Sequence, residues 1–402
     1  MLPTRREAMA TDDKKVVIAG AGIGGLATAL ALARRGIACH VFERRARGSE
    51  PGAGIQIGPN GTKVLASLGV LDAIRPLAAE PDALSVHDGK TGRTLTQLPL
   101  GDWMRERFQA PYLCIHRQDL HALLLARAVV DSRITLSFGY DISTFATGDD
   151  GVVAMFPDGE TFPARALIAA DGLWSKLRSQ LTGVPPPAPT GKCAYRTVLA
   201  REAVPPELAD NNVHIWLSHG AHAVHYPVRG GKEIALVVIA DNTATSEEWN
   251  RDPDADWLAT PAAAAFAPAL RELLSKASDW RMWSLQSLTA PLESWTKGCT
   301  TLLGDAAHPV LPFFAQGGSL ALEDAAVLAA HVADTASPMP ARLLGYEASR
   351  RDRAQRVIAA SRRNGQIYHL DGAFAAARNA ALTHVPPQTL MRRYDWLYGW
   401  TP

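Results

Sequence analysis

A chain of 402 residues with 47% hydrophobic content can bury a large core and is long enough for two domains. Its formal net charge of +1, from 41 basic and 40 acidic side chains, leaves no electrostatic footprint for nucleic acid or an anionic membrane surface. Four scattered cysteines, Cys39, Cys114, Cys193 and Cys299, lack CxxC or metal-ligand spacing; no metal or dithiol redox centre is expected, and a reducing, cytoplasmic setting fits.

Residues 1 to 15 are charged, lack an apolar stretch and read as a flexible leader. No run reaches 18 uninterrupted apolar residues, so no membrane span is expected. The apolar run Val16 to Ile18 predicts a strand, GAGIGG follows at Gly20 to Gly25, and a helical pattern runs from Leu26 to Arg35. A lone GxGxxG is weak, but here Gly20, Gly22 and Gly25 stand in the strand, tight turn and helix that the motif requires. A second strand, Ile37 to Phe42, ends on Glu43 and Arg44 at the offset where an acidic side chain accepts hydrogen bonds from an adenosine ribose. A dinucleotide with a free 2′-hydroxyl, FAD or NAD, is the expected ligand.

A glycine-rich excursion covers Gly48 to Gly61, and Asn60 is the expected cap of the next helix. From Leu84 to Arg107 the pattern is short strands and turns. A helix over Gln118 to Val130 begins just after Arg117, and strands follow at Ile134 to Phe138, Gly151 to Phe156 and Ala164 to Ala170, with a PDG hairpin turn at Pro157 to Gly159. An ADG turn closes this part at Ala170 to Gly172, carrying Asp171.

The proline-rich stretch Val184 to Pro189 marks the exit into a second domain. Strands at Cys193 to Ala200, Val213 to Leu217, His222 to Val228 and Glu233 to Ile239, with a turn at Arg229 to Lys232, predict a mostly antiparallel sheet flanked by a helix near Pro261 to Lys276. In HAVHYPV the two-residue period places His222, Val224, Tyr226 and Val228 on one face, with His222 and Tyr226 roughly 13 Å apart at about 3.3 Å per residue. Tyr195 and Arg196 face opposite ways, and Arg196 is open to two roles, a carboxylate partner or a surface salt bridge.

The chain returns near Leu288 and reaches GDAAHP at Gly304 to Pro309, then Pro312, Phe313 and Phe314. The next segment, AQGGSLALEDAAVLAAHV, reads as a glycine-started helix. The amides of Gly317, Gly318 and Ser319 and the positive helix end suit a flavin N1–C2=O edge, which turns negative on reduction. Helices over Ala341 to Arg363 and His369 to Leu382 finish the chain, with Tyr394, Trp396, Tyr398 and Trp400 as a packing cap or subunit contact. A second dinucleotide fingerprint is missing. Together GAGIGG, ADG and GDAAHP mark one bound flavin.

The segments GAGIQIGPNGTKVLASLGV (52 to 70), HRQDLHALL (116 to 124), GDAAHPVLPFFAQGGSLALEDAAVLA (304 to 329) and YDWLYGW (394 to 400) resemble the single-component FAD-dependent aromatic hydroxylases, the class of salicylate hydroxylase, 3-hydroxybenzoate 6-hydroxylase and 6-hydroxynicotinate 3-monooxygenase. The resemblance implies an α/β fold: a Rossmann-like FAD-binding domain with an inserted, mostly antiparallel substrate sheet, as in p-hydroxybenzoate hydroxylase. Residues 16–80, 108–185 and 288–402 would form the first, and 81–107 and 186–287 the second. It implies non-covalent FAD, a transient visit by NADH or NADPH, and hydroxylation of a small electron-rich aromatic acid by O2 through a flavin C4a-hydroperoxide.

Among the residues, the resemblance places Asp305 by the ribityl chain, Arg117 on the linking chain, Asp171 in the family's DG turn and His308 as a brace of the flavin loop. A histidine and a tyrosine at the spacing of His222 and Tyr226 face substrate in such enzymes. His222 is then the proton acceptor or, alternatively, a structural histidine; Tyr226 is a partner or packing. Gln56, Tyr195, Pro312 and Phe313 complete the expected pocket; Gln56 stands where the hydroxynicotinate enzymes carry histidine, which counts against that substrate. A flavin monooxygenase of a larger phenolic or polyketide ring, an epoxidase, and a flavin redox sensor without turnover remain as alternatives. Monomer and homodimer are both open.

Overall fold

A computed structural model describes residues 15–46, 54–242, 252–253 and 257–402. The leader up to residue 14 and the first part of the expected glycine-rich excursion, residues 48–53, lie outside them. Strand β1 (Val16–Ala19) is apolar and buried at all four positions, the signature of a strand covered on both faces. It turns through the glycines into helix α1 (Ile23–Arg34) and returns as β2 (Cys39–Glu43). Next come β3 (Gly54–Ile57) and α2 (Pro59–Ser67). Asn60 is not the cap of α2: Gly58 holds that place, Pro59 takes the first turn where its missing N–H costs nothing, and Asn60 is spent elsewhere.

Strands β4 (Ala83–Asp88) and β5 (Thr94–Pro99) form a hairpin, followed by α3 (Gly101–Phe108). This helix corrects the expectation of strands and turns up to Arg107. Its short amphipathic stretch buries only Met104 and Phe108 beyond Gly101. Then follow β6 (Leu113–His116), α4 (Arg117–Val129), β7 (Ile134–Phe138) and, after a three-stranded hairpin layer, β8 (Ala166–Ala169). The second sheet is built from β9 (Ala188–Ala200), β10 (Val213–Ser218), β11 (Ala221–Val228), β12 (Glu233–Asp241) and β13 (Arg281–Ser287), with α5 (Pro268–Lys276) between the last two. The helix expected over Pro261 to Lys276 is two pieces, Pro261–Ala264 and α5, because Pro268 takes the N-terminal turn of a new helix. Strand β14 (Thr300–Leu302) and helices α6 (Gly317–Ala333), α7 (Met339–Tyr368) and α8 (Gly372–His384) follow.

Parallel pairing of β14, β8, β1, β2 and β7 makes the nucleotide sheet, with a short strand at Thr296–Lys297 on its edge. Helix α1 is alanine-rich where α6 crosses it. A Cβ on Gly24 would lie 2.9 Å from Leu303 and 3.3 Å from Ala321, so small residues set how closely the two helices pack. The second sheet runs β13-β9-β12-β11-β10-β4-β5 and is antiparallel except where β10 meets β4. Its outer face packs Tyr195, Trp216 and Leu236 under Leu270, Leu273 and Leu274 of α5, each leucine burial worth roughly 1.5–3 kcal/mol. The inner face carries Ala194 and Ile239 against Leu285 and Phe313. A small sheet of β3, β6 and the pair Ala78–Ala79 completes the strand layers. No described helix is long and apolar enough to cross a membrane.

Candidate active site

The glycine turn is fixed by contacts that admit no side chain. Gly20 sits at φ +103°, and a Cβ there would lie 2.5 Å from the Ala170 carbonyl oxygen. A Cβ on Gly25 would lie 2.0 Å from the Gly20 oxygen, and both obstacles are backbone. Gly22 is the extended N-cap of α1, without a capping side chain, so the amides at the helix start stay available. His121 of α4 bonds the Ala21 carbonyl at 2.7 Å and holds the turn from behind. Glu43 accepts from Ala21 N–H and Arg45 N–H, both at 2.9 Å, and keeps lone pairs for a ribose. Arg44 is exposed and Arg117, the first residue of α4, is half-buried. Gly25→Ala is expected to lose about 1–3 kcal/mol or more, with a matching fall in bound flavin; the flavin-to-protein absorbance ratio and Tm check it.

Two later turns meet the first. Asp171 follows β8; burial raises its carboxyl pKa against the hydrogen bond from Ser175, and its Oδ1 is buried with no hydrogen-bond partner among the described residues. Arg178, fully buried, donates to the carbonyls of Leu173, Asp305 and Ala306 and so ties the ADG turn to the GDAAHP turn. Asp305 itself points outward from the 3₁₀ turn Gly304–Ala306.

Behind that turn the start of α6 is braced by charge. His308 Nε2 lies 2.5 Å from Asp324, whose other oxygen accepts from Arg350 at 2.7 Å, while Gly304 N–H donates to the same carboxylate. Glu323 takes Arg350, Arg353 and the Asn60 amide, which also reaches Gln316. Burial alone would lower His308, but Asp324 more than offsets it and the imidazole titrates above its usual range. Burial likewise opposes ionisation of Asp324, yet His308 and Arg350 hold it down to about 2. The first intrahelical bond of α6 is Leu320 N–H to Gln316, which leaves the amides of Gly317, Gly318 and Ser319 outside the helical ladder. Gly317 borders open space; the Ser319 hydroxyl, by contrast, is buried beside Gly61, with no hydrogen-bond partner among the described residues.

Register decides the sheet face. Ala194, Ile239, His222 and Leu217 lie in one row, and Arg196, Val237 and Val224 form the next row but one along the strands. Val198, Ala235 and Tyr226 form the third. His222, Arg196 and Tyr226 therefore share the inner face. Tyr195 does not belong to this pocket: it points to the outer face, stacks on Trp257 at 4.1 Å and accepts a hydrogen bond from Asn242. The parity of its strand turns its neighbour Arg196 inward, buried, over the Trp283 ring at 4.2 Å.

His222 is walled by Phe313 at 5.6 Å and Tyr368 at 5.2 Å between ring centres, and its Nδ1 lies 2.8 Å from His369 Nε2. Burial, then His369 and Lys192, hold its pKa well below the usual imidazole range. Phe313 fits against α7 because Gly365 has no side chain there: a Cβ would meet the ring at 2.7 Å. Pro312 is exposed, and Phe314 turns away to Tyr394. Gln56 accepts from Tyr112 at 2.7 Å and bonds Tyr226, whose phenol burial pushes well up in pKa. Tyr226 lies over Gly54, where a Cβ would come within 2.4 Å of its ring. His121, Arg178, Tyr112, Tyr368 and His369 are site residues that motif spacing does not reveal. The C-terminal aromatics pack inward, Trp396 over Arg356 at 3.9 Å and Tyr398 near Phe108 and Tyr112.

A family model described as an FAD binding domain matches residues 13–361. The chain is 36% identical to 3-hydroxybenzoate 6-hydroxylase 1 of Aquipseudomonas alcaligenes over 388 residues, 96% of this chain and 97% of that one. It is 33% identical to 6-hydroxynicotinate 3-monooxygenase of Bordetella bronchiseptica over 357 residues, 87% of this chain and 91% of the other. The crystal structure of HpxO from Klebsiella pneumoniae complexed with FAD and uric acid superposes with a TM-score of 0.84 at 26% identity, covering 97% of this chain and 98% of that one. The site fits the same cofactor. The buried lone oxygen of Asp171, the glycine turn closed to any Cβ and the free amides facing open space at Gly317 supply what an FAD molecule requires.

Proposed function

The chain belongs to the FAD binding domain family of FAD-dependent aromatic hydroxylases, and from that membership we propose that it hydroxylates a hydroxybenzoate or a hydroxypyridine carboxylate at the expense of NAD(P)H and O2. The observation that carries this reading is the inner sheet face, where buried His222, Arg196 and Tyr226 stand in successive rows of that face, His222 lying against Phe313 of the Pro312–Phe314 turn. In this reading residues 16–80, 108–185 and 288–402 hold the cofactor, and 81–107 and 186–287 hold the substrate. A cytoplasmic monomer or homodimer is the assembly it implies.

When bound, FAD supplies hydride acceptance from the nicotinamide and activation of O2 for insertion of one oxygen atom. The chain supplies the rest. Gly20, Gly22, Gly25, Glu43, Arg44, Arg117, Asp171 and Asp305 bind and orient the dinucleotide, and the amides of Gly317, Gly318 and Ser319 offer donors to a developing negative edge. Arg196 favours a substrate carboxylate by charge. His222, neutral near pH 7, takes the proton from a ring hydroxyl at Nε2, which raises electron density on the ring. Tyr226, held protonated and tied to Gln56, donates to the substrate instead of accepting from it. Phe313 and Tyr368 shield that proton transfer from water.

The deciding experiment is a panel of hydroxybenzoates and hydroxypyridine carboxylates scored for both coenzyme consumption and product. Acceleration of NAD(P)H oxidation with formation of a hydroxylated acid is the expected result. If no acid in the panel stimulates oxidation, the reading fails in favour of a larger ring or a redox sensor. For the cofactor, Asp305→Ala is expected to raise the FAD dissociation constant about tenfold or more, the cost of one charge-assisted hydrogen bond. Unchanged affinity on flavin titration of the apoprotein would remove Asp305 from the site.

A further inference from the structure

We propose that His369 is the second member of a proton relay through which a proton taken from substrate by His222 reaches solvent at the Lys192–Asp241 pair. This rests on the reading of His222 as the proton acceptor. His222 Nδ1 meets His369 Nε2 at 2.8 Å, His369 Nδ1 meets Lys192 Nζ at 3.1 Å, and Lys192 is paired with Asp241. Asp241 Oδ1 is 3.9 Å from His369 Nδ1. Exposure rises steadily along this line: His222 is 2% exposed, and the side chains of His369, Lys192 and Asp241 are 8%, 25% and 60% exposed. His369 and Lys192 also line a cleft of about 520 Å³, together with Gln366, Arg362 and Phe313, so the outer nitrogen of the pair stands at a water-accessible wall.

The chemistry of two linked imidazoles suits the task. Burial keeps His222 well below its usual range and lowers His369 to about 4, so at neutral pH each ring carries one N–H and one lone pair. The substrate O–H bond breaks as the His222 Nε2–H bond forms. The Nδ1 proton of His222 passes to His369 Nε2, and the Nδ1 proton of His369 leaves to Asp241 or to cleft water. No electrons move and the charges balance. Lys192 controls the exit: while its ammonium donates to His369 Nδ1, the protons sit on His369 Nε2 and His222 Nε2 and the relay is closed; when Lys192 gives up that bond and keeps only its pair with Asp241, both rings take their Nδ1–H forms and His222 Nε2 becomes the acceptor. His369 also stands at the carboxyl end of the 30-residue helix α7, where the helix dipole favours the transient imidazolium. The other groups that face the pair are Tyr368, Arg378 of α8, and His219 with Asp371 across the turn before β11.

The test compares FAD-loaded parent, His369→Gln and His369→Phe, with 3-hydroxybenzoate as probe. Gln keeps a hydrogen bond to His222 Nδ1 but cannot pass a proton on; Phe removes both. Rapid mixing of oxidised enzyme with the probe reads phenol ionisation by ultraviolet absorbance, independently of turnover. Product per NAD(P)H is then measured against pH. Both variants are expected to slow ionisation about 10²-fold and to move the best coupling to alkaline pH. Should His369→Phe fail to fold, His369→Gln gives the answer alone. Ionisation and coupling in His369→Gln equal to the parent would overturn the relay and leave a positioning role, as would a loss of stability or flavin content alone. A parent that neither ionises nor hydroxylates the probe or any panel acid would instead overturn the reading of the site, and the relay with it.

Discussion

His222→Ala is expected to retain FAD and to keep oxidising NAD(P)H when the aromatic substrate is present, while product formation falls by about 10²-fold or more and hydrogen peroxide accumulates. The split follows from where the residue sits. Its ring lies on the inner sheet face against Phe313, Tyr368 and His369, none of them a proposed cofactor residue, so the proposed cofactor contacts are expected to survive the substitution. On the proposed role of His222, what disappears is the nitrogen that draws the proton off the ring hydroxyl, and with it the electron density that makes the ring reactive. Higher pH should restore part of the product, because the substrate then arrives already ionised. The restoration distinguishes a chemical role from a packing role. A cavity beside Phe313 and Tyr368 would lower Tm at every pH without altering the ratio of product to coenzyme consumed. If flavin-loaded His222→Ala couples as well as the parent, another group removes the proton.

The parts of this site that were legible in the sequence are the local ones. GAGIGG, ADG and GDAAHP each enclose their own geometry within a few residues, and Gly20 and Gly25 are needed because backbone lies within 2.5 Å and 2.0 Å of a would-be Cβ. The shared face of His222 and Tyr226 was legible too, since a strand's period is two. Tyr195 was not, because its side depends on the pairing of Ala194 with Ile239 and of Ile239 with His222, and a one-residue slip in either would reverse it. Asn60 reads as a cap only if tertiary partners are ignored. Its amide goes to Glu323 at 2.7 Å, 263 positions along the chain. His369 lies 147 positions from His222, at the end of a helix whose pattern carries no chemical signal of its own. Arg178 and Tyr112 are hidden for the same reason: each bonds groups that only the folded chain brings close.

Asp324→Ala is expected to cost about 3–5 kcal/mol and to release flavin, because it breaks a buried charge network and not a surface pair. Asp324 is fully buried, and its loss leaves His308 without a partner, Gly304 N–H without its side-chain acceptor and Arg350 with only Glu323. Since Gly304 and His308 bound the turn that carries Asp305, the loop beside the cofactor loosens together with the core. The penalty depends on pH in a definite direction. In the parent, the depressed carboxyl of Asp324 contributes stability above its ordinary value of 3.8 that is lost as pH falls through about 2. The raised imidazole of His308 contributes below its ordinary value of 6.5, and that part is lost as pH rises through its elevated folded value. Both contributions are therefore complete between 3.8 and 6.5, and the gap between parent and variant should be widest there. Above that window it should narrow, because His308 becomes neutral in the parent and burial alone keeps it neutral in the variant. Denaturant midpoints taken across the pH range with excess FAD measure the gap. A difference that stays flat from acid to alkaline pH would mean that His308 and Asp324 share a neutral hydrogen bond and that the network is not held by charge.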